Sequence, residues 1–406
     1  MIVVAGEALV DLLIQPDGSV SAELGGGPFN VARTIGRLGL DVAFLGCLSL
    51  DRFGTRLADQ LRADGVRGDL ILRTEAPTTL AAAELDEVGA ASYRFYIDGT
   101  SAPAVAELPE ILMPVEAVHV GTLGLVLEPI ATTVEAYVSA LADDVLVMVD
   151  PNCRPAVITD HATYVARIHS LLERAHIVKV STDDAEYLAP GTTPLQLARQ
   201  MIENGVRAVL VTAGGGQTVV VNAAGDRAVP IPQIVVADTI GAGDSFGGGF
   251  LTAWLSADRS ISDLDDLDLL AAAAAAANTV AASTCTRIGA DPPWQPVPRV
   301  DPWNPSPVPA PQFPTVDPTI PPAPPAQPTP APTPAPAFPW SAVLTLMTAG
   351  FSLPAAVALV VWAVYTIRAR RQAAGLKPIV DQATLDRVLE QLKKLADQPK
   401  QSTSGT

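Results

Sequence analysis

Short apolar segments alternate with segments of helical periodicity along residues 1–291, and this alternation limits the fold more than any other feature of the chain. Six of the apolar segments are valine-rich and bounded by Gly, Asp or Pro: "IVVAG", "DVAFLGCL", "AVHVGTL", "VLVMVDPN", "IVKVS" and "RAVLVTAG". Between them, "TPLQLARQMIENG" has apolar residues at helical spacing and ends on a glycine. Strand–helix alternation predicts an α/β fold with a mainly parallel sheet, whose ligands bind beyond the carboxyl ends of the strands.

The segment "DTIGAGDSF", residues 238–246, predicts a strand end, a glycine turn and the start of a helix. A helix start exposes unpaired N–H groups and partial positive charge, so it favours an anion. Asp244 is either that anion, as a first-turn residue, or a group that works beside a phosphate held by the N–H groups. The glycines allow a phosphate to approach the main chain, and a carboxylate there can accept a proton from an alcohol.

Several other classes of site are excluded by pattern and charge. A GxxxxGK[ST] loop is absent from the sequence, and GxGxxG fails at Phe246. The net charge of −17 argues against a nucleic-acid partner. Cys47, Cys153 and Cys285 are far apart in sequence, which predicts neither a zinc site nor a disulfide framework and is typical of a reducing compartment.

Two segments together resemble the signatures of one enzyme family. "DTIGAGDSF" resembles the C-terminal signature of the ribokinase-like (PfkB) carbohydrate kinases, and "GGGPFNVARTIGRLG", residues 25–39, resembles their N-terminal signature. The resemblance covers about residues 1–290. It implies a three-layer α/β/α fold with a mainly parallel sheet, and a small β-sheet lid from residues 12–24 and 78–102. It also implies phosphoryl transfer from ATP to a sugar hydroxyl.

The resemblance assigns the chemistry of transfer to the start of the predicted helix. Asp244 would accept the hydroxyl proton, while the backbone at Gly241, Ala242 and Gly243 would form an anion hole for the transferred phosphoryl group.

The sugar site is implied at the amino-terminal end of the chain. "GEALVD" resembles the family's first strand, with Asp11 at its end binding sugar hydroxyls; a turn residue at a strand end is the alternative. Gly26, Gly27 and Asn30 would line the same pocket. Two arginines are further candidates, each with an alternative on the surface: Arg154 of "DPNCRP" for an anion, and Arg94 of the lid for a substrate carboxylate.

Nucleotide and metal ligands are implied by three further segments. "KVSTDDAEYL" resembles the element that orders Mg²⁺ through water, with Ser181 and Asp184 in place of asparagine and glutamate. "VTAGGGQ" implies nucleotide contacts from Thr212 and Gly214. The segment 271–283 resembles the family's helix in which an asparagine flanks adenine, and Asn278 takes that position here. Close packing of an alanine-rich helix is the alternative explanation of this segment. Asp238 would belong to a K⁺ site beside the anion hole.

The substrate is predicted to be fructose, because "GGGPFN" and "DPNCRP" most resemble fructokinases. Ketodeoxygluconate, ribose and nucleosides stay open as alternatives. A second class of function also stays open, in which the fold serves as a membrane-tethered sensor or scaffold that binds sugar or nucleotide without turnover.

The remainder of the chain has a different composition. Residues 292–339 hold 21 of the 37 prolines and three charged residues, which predicts a disordered linker, with a PxxP docking motif as the alternative. Residues 340–367 contain no charged residue and are longer than the roughly 20 residues that span a bilayer. They predict a transmembrane or membrane-inserted helix, against the alternative of a buried helix.

Residues 368–406 carry eight Lys or Arg against four Asp or Glu. They predict a basic juxtamembrane stretch and a short amphipathic helix over 381–396, which could form a homodimer or lie on another surface. Basic residues favour the cytoplasmic side, and so does a kinase domain that uses ATP. One crossing cannot put both on that side, so the kinase domain is predicted to be cytoplasmic and the topology stays open.

Overall fold

The computed structural model describes residues 1–85 and 91–294, which form thirteen strands and eight α-helices. The strands are β1 (Ile2–Ala5), β2 (Leu9–Ile14), β3 (Val20–Gly25), β4 (Val42–Ser49), β5 (Ile71–Thr74), β6 (Leu80–Leu85), β7 (Ala91–Tyr96), β8 (Ala117–Gly121), β9 (Leu146–Asp150), β10 (Ile177–Ser181), β11 (Ala208–Thr212), β12 (Thr218–Asn222) and β13 (Gly225–Val229). The helices are α1 (Gly27–Arg37), α2 (Arg52–Ala63), α3 (Ile130–Ser139), α4 (His161–Leu172), α5 (Thr182–Leu188), α6 (Pro194–Glu203), α7 (Ala242–Leu255) and α8 (Leu267–Cys285).

The main sheet has nine strands in the order β13-β12-β11-β10-β9-β8-β1-β4-β5. Seven neighbouring strands of this sheet run parallel, namely β5, β4, β1, β8, β9, β10 and β11. At one edge, β12 pairs antiparallel with β11, and β13 pairs antiparallel with β12. All six valine-rich segments form strands of this sheet, so the prediction of a mainly parallel α/β fold is confirmed. Their near-continuous apolar character follows from burial on both faces of the sheet.

Helices cover the sheet on both faces, which gives three layers. One core cluster joins the sheet to α3, α4 and α6 through residues such as Val134, Ile168 and Ala198. The other joins it to α1, α2, α7 and α8 through residues such as Phe29 and Phe250. The predicted helix around residues 193–205 is α6, which begins at a capping box made by Thr193 and Gln196.

The strands from the segments predicted to form a lid make a separate small sheet, as the family resemblance implies. Its order is β3-β2-β6-β7, with β2 and β6 parallel and both outer pairs antiparallel. The apolar row Ala81, Ala82 and Ala83 of β6 is buried, so the sheet has little side-chain bulk at its centre.

Two local predictions are wrong. Asp11 is not the last residue of the first strand but lies inside β2, because Gly6 at φ 150° separates β1 from β2. Residues 231–240 form a loop rather than a strand that ends before the glycine turn. Pro230 and Pro232 lack the N–H groups that a ladder needs. The start of α7 at Ala242 is confirmed.

Among the described residues, one helix is long and apolar enough to cross a membrane by length and composition. This helix is α8, which packs against α7, β12 and β13 and buries Ala273, Ala274 and Ala277 in the core. It is therefore a core helix of the fold. The predicted linker, membrane segment and amphipathic helix lie outside the described residues, apart from 292–294, and their boundaries stay predictions.

Candidate active site

The two signature segments meet in a single hydrogen bond. The Nδ2 atom of Asn30 in α1 donates to Oδ2 of Asp244 in α7 over 2.9 Å, although the residues are 214 positions apart. Asn30 is buried, and Asp244 is half-buried. Burial raises the pKa of Asp244, while the amide of Asn30 and the cations of Lys179 and Arg154 act to lower it. The fold thus places a carboxylate of increased basicity at a helix start.

The start of α7 leaves its N–H groups free of a side-chain cap. Gly241 is the N-cap residue, in the left-handed conformation at φ 74° that glycine adopts without strain. A side chain there would collide with Ala290, since an ideal Cβ would lie 2.5 Å from the Cβ of Ala290. Ala242 and Gly243 open the first turn, and Gly243 is exposed. This is the backbone arrangement that binds anions at helix N-termini.

A buried cation lies beside this turn, and its residue is not among those that the sequence indicated. Lys179 of β10 is buried, and its Nζ donates to Oδ2 of Asp150 over 2.7 Å. The ideal Cβ position of Gly243 is 3.4 Å from the same Nζ. Burial alone lowers the pKa of Lys179, but Asp150, Asp184 and Asp244 outweigh it and raise the pKa. A positive charge therefore lies beside the start of α7.

A cleft of about 470 Å³ brings together most of the predicted nucleotide and metal residues. Its lining includes Ser181, Asp184, Thr212, Gly214 and Gly243. Ser181 and Thr212 are neighbours in the register of β10 and β11, at the carboxyl ends of these strands. The position of the cleft agrees with the general rule for open α/β sheets.

The carboxylate of Asp184 already accepts several hydrogen bonds from the protein. Its Oδ2 accepts from the N–H and hydroxyl of Ser181, which forms a capping box at the start of α5, and its Oδ1 accepts from the N–H of Cys153. Burial acts to raise the pKa of Asp184, but Lys179 and these hydrogen bonds bring it below its usual range. Asp184 is thus a fixed, charged group in the cleft.

Glycines at the start of α1 leave room for the groups that surround them. An ideal Cβ on Gly26 would lie 2.7 Å from the carbonyl oxygen of Glu7, and one on Gly27 would lie 2.3 Å from Oγ1 of Thr122. Asp11 lies beside the preceding glycine, Gly25, whose ideal Cβ would overlap the Asp11 carboxylate. Burial raises the pKa of Asp11 to about 6, with a further increase from Asp244 and an opposing effect of Arg154. The Asp11 carboxyl group therefore interacts electrostatically with Asp244.

Glu7 is a second buried residue that the sequence analysis missed. Its Oε1 accepts from the N–H of Gly27 over 3.0 Å and its Oε2 from the N–H of Gly124 over 2.9 Å. Burial raises its pKa to about 8, partly offset by these hydrogen bonds. Glu7 fastens the glycine segment of α1 to the turn that follows β8.

Strained backbone occurs beside Gly27, at the start of α1. Thr122 and Asn152 have φ values of 55° and 39°, which are unusual outside glycine and most unusual for a β-branched residue. Nδ2 of Asn152 donates to Oγ1 of Thr122, and Arg154 donates to Oδ1 of Asn152. Arg154 also lines the cleft. Such strain is concentrated at functional sites in proteins generally.

Three predicted residues do not share this arrangement. Arg94 is exposed on β7 and is paired with Ala82, whereas Asp11 is paired with Ala81, so the two side chains lie on opposite faces of the lid. Asn278 is buried, with its amide bonded to Thr218 and Pro230. Asp238 accepts from the N–H groups of Ile240 and Gly289.

The fold and the site together define a kinase of the ribokinase-like type. A family model described as pfkB family carbohydrate kinase matches residues 1–296, and the chain belongs to this family. A fructokinase of Rhizobium leguminosarum bv. trifolii is 32% identical over 281 residues, which cover 66% of this chain and 84% of the relative. The protein is accordingly an ATP-dependent carbohydrate kinase.

Solved structures give the same result. A fructokinase with bound ATP from Xylella fastidiosa has a TM-score of 0.64 and 29% identity, covering 71% of this chain and 93% of that one. An aminoimidazole riboside kinase from Salmonella enterica, complexed with aminoimidazole riboside and an ATP analog, has a TM-score of 0.62 and 25% identity, covering 71% and 94%.

Proposed function

We propose that the protein transfers the γ-phosphoryl group of ATP to a hydroxyl of fructose, with Asp244 as the general base. The observation that carries this proposal is the bond between Asn30 and Asp244, which joins both signature segments beside the cleft. Fructose is favoured because the fructokinases are similar to this chain over most of their length. Ketodeoxygluconate, ribose and nucleosides are the alternative acceptors.

The proposed reaction forms a bond between the sugar oxygen and the γ-phosphorus and breaks the bond between that phosphorus and the bridging oxygen of ADP. Asp244 takes the proton of the attacking hydroxyl, and its raised pKa makes it a stronger base than an exposed aspartate. Asn30 fixes the orientation of the carboxylate by bonding one oxygen and leaving the other for substrate. Asp11, Gly26 and Gly27 would hold the sugar.

Positive potential for the transferred group would come from two sources. The N–H groups of Gly243 and Asp244 lie in the first turn of α7, where a helix leaves its first N–H groups without a partner inside the helix, and Nζ of Lys179 lies close to Gly243. The N–H of Ala242 donates to the carbonyl oxygen of Thr239 over 3.2 Å, so it would have to leave this partner to join them. A preorganised donor of this kind typically lowers a barrier by about 2.7–4 kcal/mol. Because the donors are fixed before substrate binds, they need no reorganisation during transfer.

The cleft is suited to hold the nucleotide and its metal. Thr212 and Gly214 would contact the nucleotide. Asn278 would lie beside adenine while its amide keeps the hydrogen bonds to Thr218 and Pro230. Asp184 is charged and fixed, so it would anchor Mg²⁺ through water, together with Ser181. Bound Mg²⁺ would neutralise charge on the phosphates. Asp238 is proposed for K⁺ beside the anion hole.

Release of ADP by the full-length chain tests the proposal. Fructose, ketodeoxygluconate, ribose and a nucleoside would be compared as acceptors, with the Asp244→Asn variant beside a control, Asp59→Asn, which alters an exposed ion pair on α2. We expect fructose-dependent turnover that only Asp244→Asn abolishes. Turnover by Asp244→Asn would refute the role of the base. Binding of sugar or ATP without any turnover would favour the membrane-tethered sensor instead.

The location of the protein is a separate proposal. We place the kinase domain in the cytoplasm, where ATP is available, and attach it to a membrane through residues 340–367 because this uncharged segment is long enough to insert. Fractionation of cells that produce the full chain or a chain lacking 340–367 tests this. A full chain that stays in the soluble fraction would refute it.

A further inference from the structure

The segment from Cys285 to Trp294, here called the C-terminal strap, runs from the end of α8 past the start of α7. The N–H of Ala237 donates to the carbonyl oxygen of Cys285 over 2.8 Å, and the N–H of Gly289 donates to Oδ2 of Asp238 over 2.8 Å. The strap therefore contacts the loop that leads into the anion hole.

One contact of the strap reaches the anion hole itself. Ala290 lies against Gly241, because an ideal Cβ on Gly241 would be 2.5 Å from the Cβ of Ala290 and 3.0 Å from its Cα. Gly241 is the left-handed N-cap residue of α7 and has no side-chain cap. The strap therefore packs directly on the residue that begins α7, beside a turn in which the N–H groups of Ile240 and Ala242 donate to Asp238 and Thr239.

Two arginines of α1 hold the strap from the other side. Nη1 of Arg33 donates to the carbonyl oxygen of Ala290 over 2.8 Å, and Nη1 of Arg37 donates to that of Pro292 over 2.6 Å. Arg37 also bonds the carboxylate of Asp291. Its guanidinium lies 4.9 Å from the ring centroid of Trp294, within the range of a cation–π interaction.

The arginines are themselves fixed by a buried carboxylate at the end of α2. Asp64 is fully buried and accepts from Nε of Arg33 over 2.6 Å and from Nε of Arg37 over 2.8 Å. Gln60 donates to both oxygens of the same carboxylate. Arg33 and Arg37 thus share the Asp64 carboxylate through Nε and bond the strap through Nη1. A guanidinium can bond two partners in this way because its N–H donors are spread over a planar fork, whereas the ammonium of a lysine is a single point charge.

These contacts close a ring around the proposed base. Asp244 is bonded to Asn30, which lies one helical turn before Arg33 on α1. Arg33 and Arg37 bond the strap, the strap packs on Gly241, and Gly241 begins the helix that carries Asp244. Any displacement of the strap away from α1 therefore alters the distance between Asn30 and Asp244 or the direction of the N–H groups.

We propose that Arg33 and Arg37 are positioning residues for phosphoryl transfer, which hold the anion hole and the base in register through the C-terminal strap. The proposal rests on the function proposed above. The arginines bond Asp64 and the strap and are not among the residues proposed to bind sugar or nucleotide, so their loss is expected to reduce kcat rather than to weaken binding. A misplacement of about 1 Å at a reacting centre can reduce a rate by about 100-fold.

The test uses two variants of the full-length chain that loosen the ring at different points. Arg37→Lys keeps a charge beside Asp64 but loses the fork that reaches Pro292 and Asp291. Ala290→Gly removes the methyl group that packs on Gly241 and leaves both arginines intact. The matched control is Arg62→Lys, because Arg62 forms an exposed pair on the surface of α2.

Both variants should lower kcat by about 10- to 100-fold and leave the KM values for sugar and ATP within about twofold. They should also speed hydrogen exchange in segment 241–246 by about tenfold, read at the amides of Ala242 and Ser245, which donate to Thr239 and Gly241. The control should match the wild type. Wild-type kcat in both variants would overturn the proposal, even if their unfolding free energy falls, because the arginines would then serve stability alone. If the wild-type chain turns over no sugar, the proposed function fails, and unchanged exchange at 241–246 would separately refute the strap's role.

Discussion

Replacing Gly243 by alanine should stabilise the protein and inactivate it at the same time. Gly243 lies in the first turn of α7 and has a conformation open to any residue, since its φ is not positive. Alanine in a compatible helical position is worth about 0.4–1 kcal/mol of unfolding free energy relative to glycine. The added Cβ would lie 3.4 Å from Nζ and 3.7 Å from Cε of Lys179, so the fold accepts the methyl group.

The same methyl group would occupy the space proposed for the phosphoryl group. Gly243 and Lys179 both line the cleft, and the new Cβ would stand beside the Lys179 ammonium. If it prevents one donor from acting, kcat/KM should fall by at least about 100-fold. Unfolding in urea and ADP release in the presence of fructose measure the two effects.

Gly247→Ala is the matched control, one helical turn further along α7. Its added Cβ would make only ordinary contacts, 3.7 Å from Cε of Met148 and 3.8 Å from Nε2 of His119. We expect a similar gain in unfolding free energy with no loss of activity. Wild-type kcat/KM in a stable Gly243→Ala variant would refute the placement of the phosphoryl group over this turn.

Three further predictions concern buried charges and the base. Because the pKa of Glu7 rises from about 4.5 in the unfolded chain to about 8 in the fold, its contribution to the free energy of unfolding is complete below about pH 4.5 and is lost as pH rises through about 8. Glu7→Gln should remove this pH dependence, which urea unfolding between pH 5 and pH 9 would measure. Lys179→Met should abolish turnover and cost about 3–5 kcal/mol of unfolding free energy by leaving Asp150 buried and unpaired, and the added change Asp150→Asn should restore the stability without the activity. Asn30→Ala should move the acid limb of the profile of kcat/KM against pH to higher pH, because the hydrogen bond from Asn30 holds the pKa of Asp244 down and its loss raises that pKa; an unmoved limb would exclude Asp244 as the titrating base.

Local patterns were sufficient for the fold because each valine-rich segment is buried on both faces, and periodicity reports burial directly. The small sheet was implied by the family resemblance, and the residues that form it lie within the ranges 12–24 and 78–102 apart from the first residues of β2 and the last residue of β3. The loop before Asp238 differs from the predicted strand end, although its segment "IVVAD" is apolar. Its apolar residues are in fact mostly exposed, with Val235 at 89%.

The proposed base and its partner could be found in the sequence because they lie in two signature segments. Lys179 and Glu7 could not be found through periodicity, since each is a single charged residue inside an apolar run. That rarity is itself a signal, because charged side chains are almost never fully buried without a partner. The partners, Asp150 and the N–H groups of Gly27 and Gly124, lie 20 or more residues away.

The strap and its two arginines show a limit of another kind. Arg33 and Arg37 have the spacing of a solvated helix face, and Asp64 has the position of an ordinary helix end. Only the packing of α1 on α2 and on residues 290–292 buries them together. Contacts of this kind depend on tertiary structure, so a single sequence does not reveal them.

A crystal structure of the full-length chain with fructose and a nonhydrolysable ATP analogue would test the central claim most directly. We expect the terminal phosphate within about 3 Å of the backbone nitrogens of Gly243 and Asp244, with a fructose hydroxyl bonded to the Asp244 carboxylate. A terminal phosphate bound elsewhere, with Asp244 turned to solvent, would contradict it.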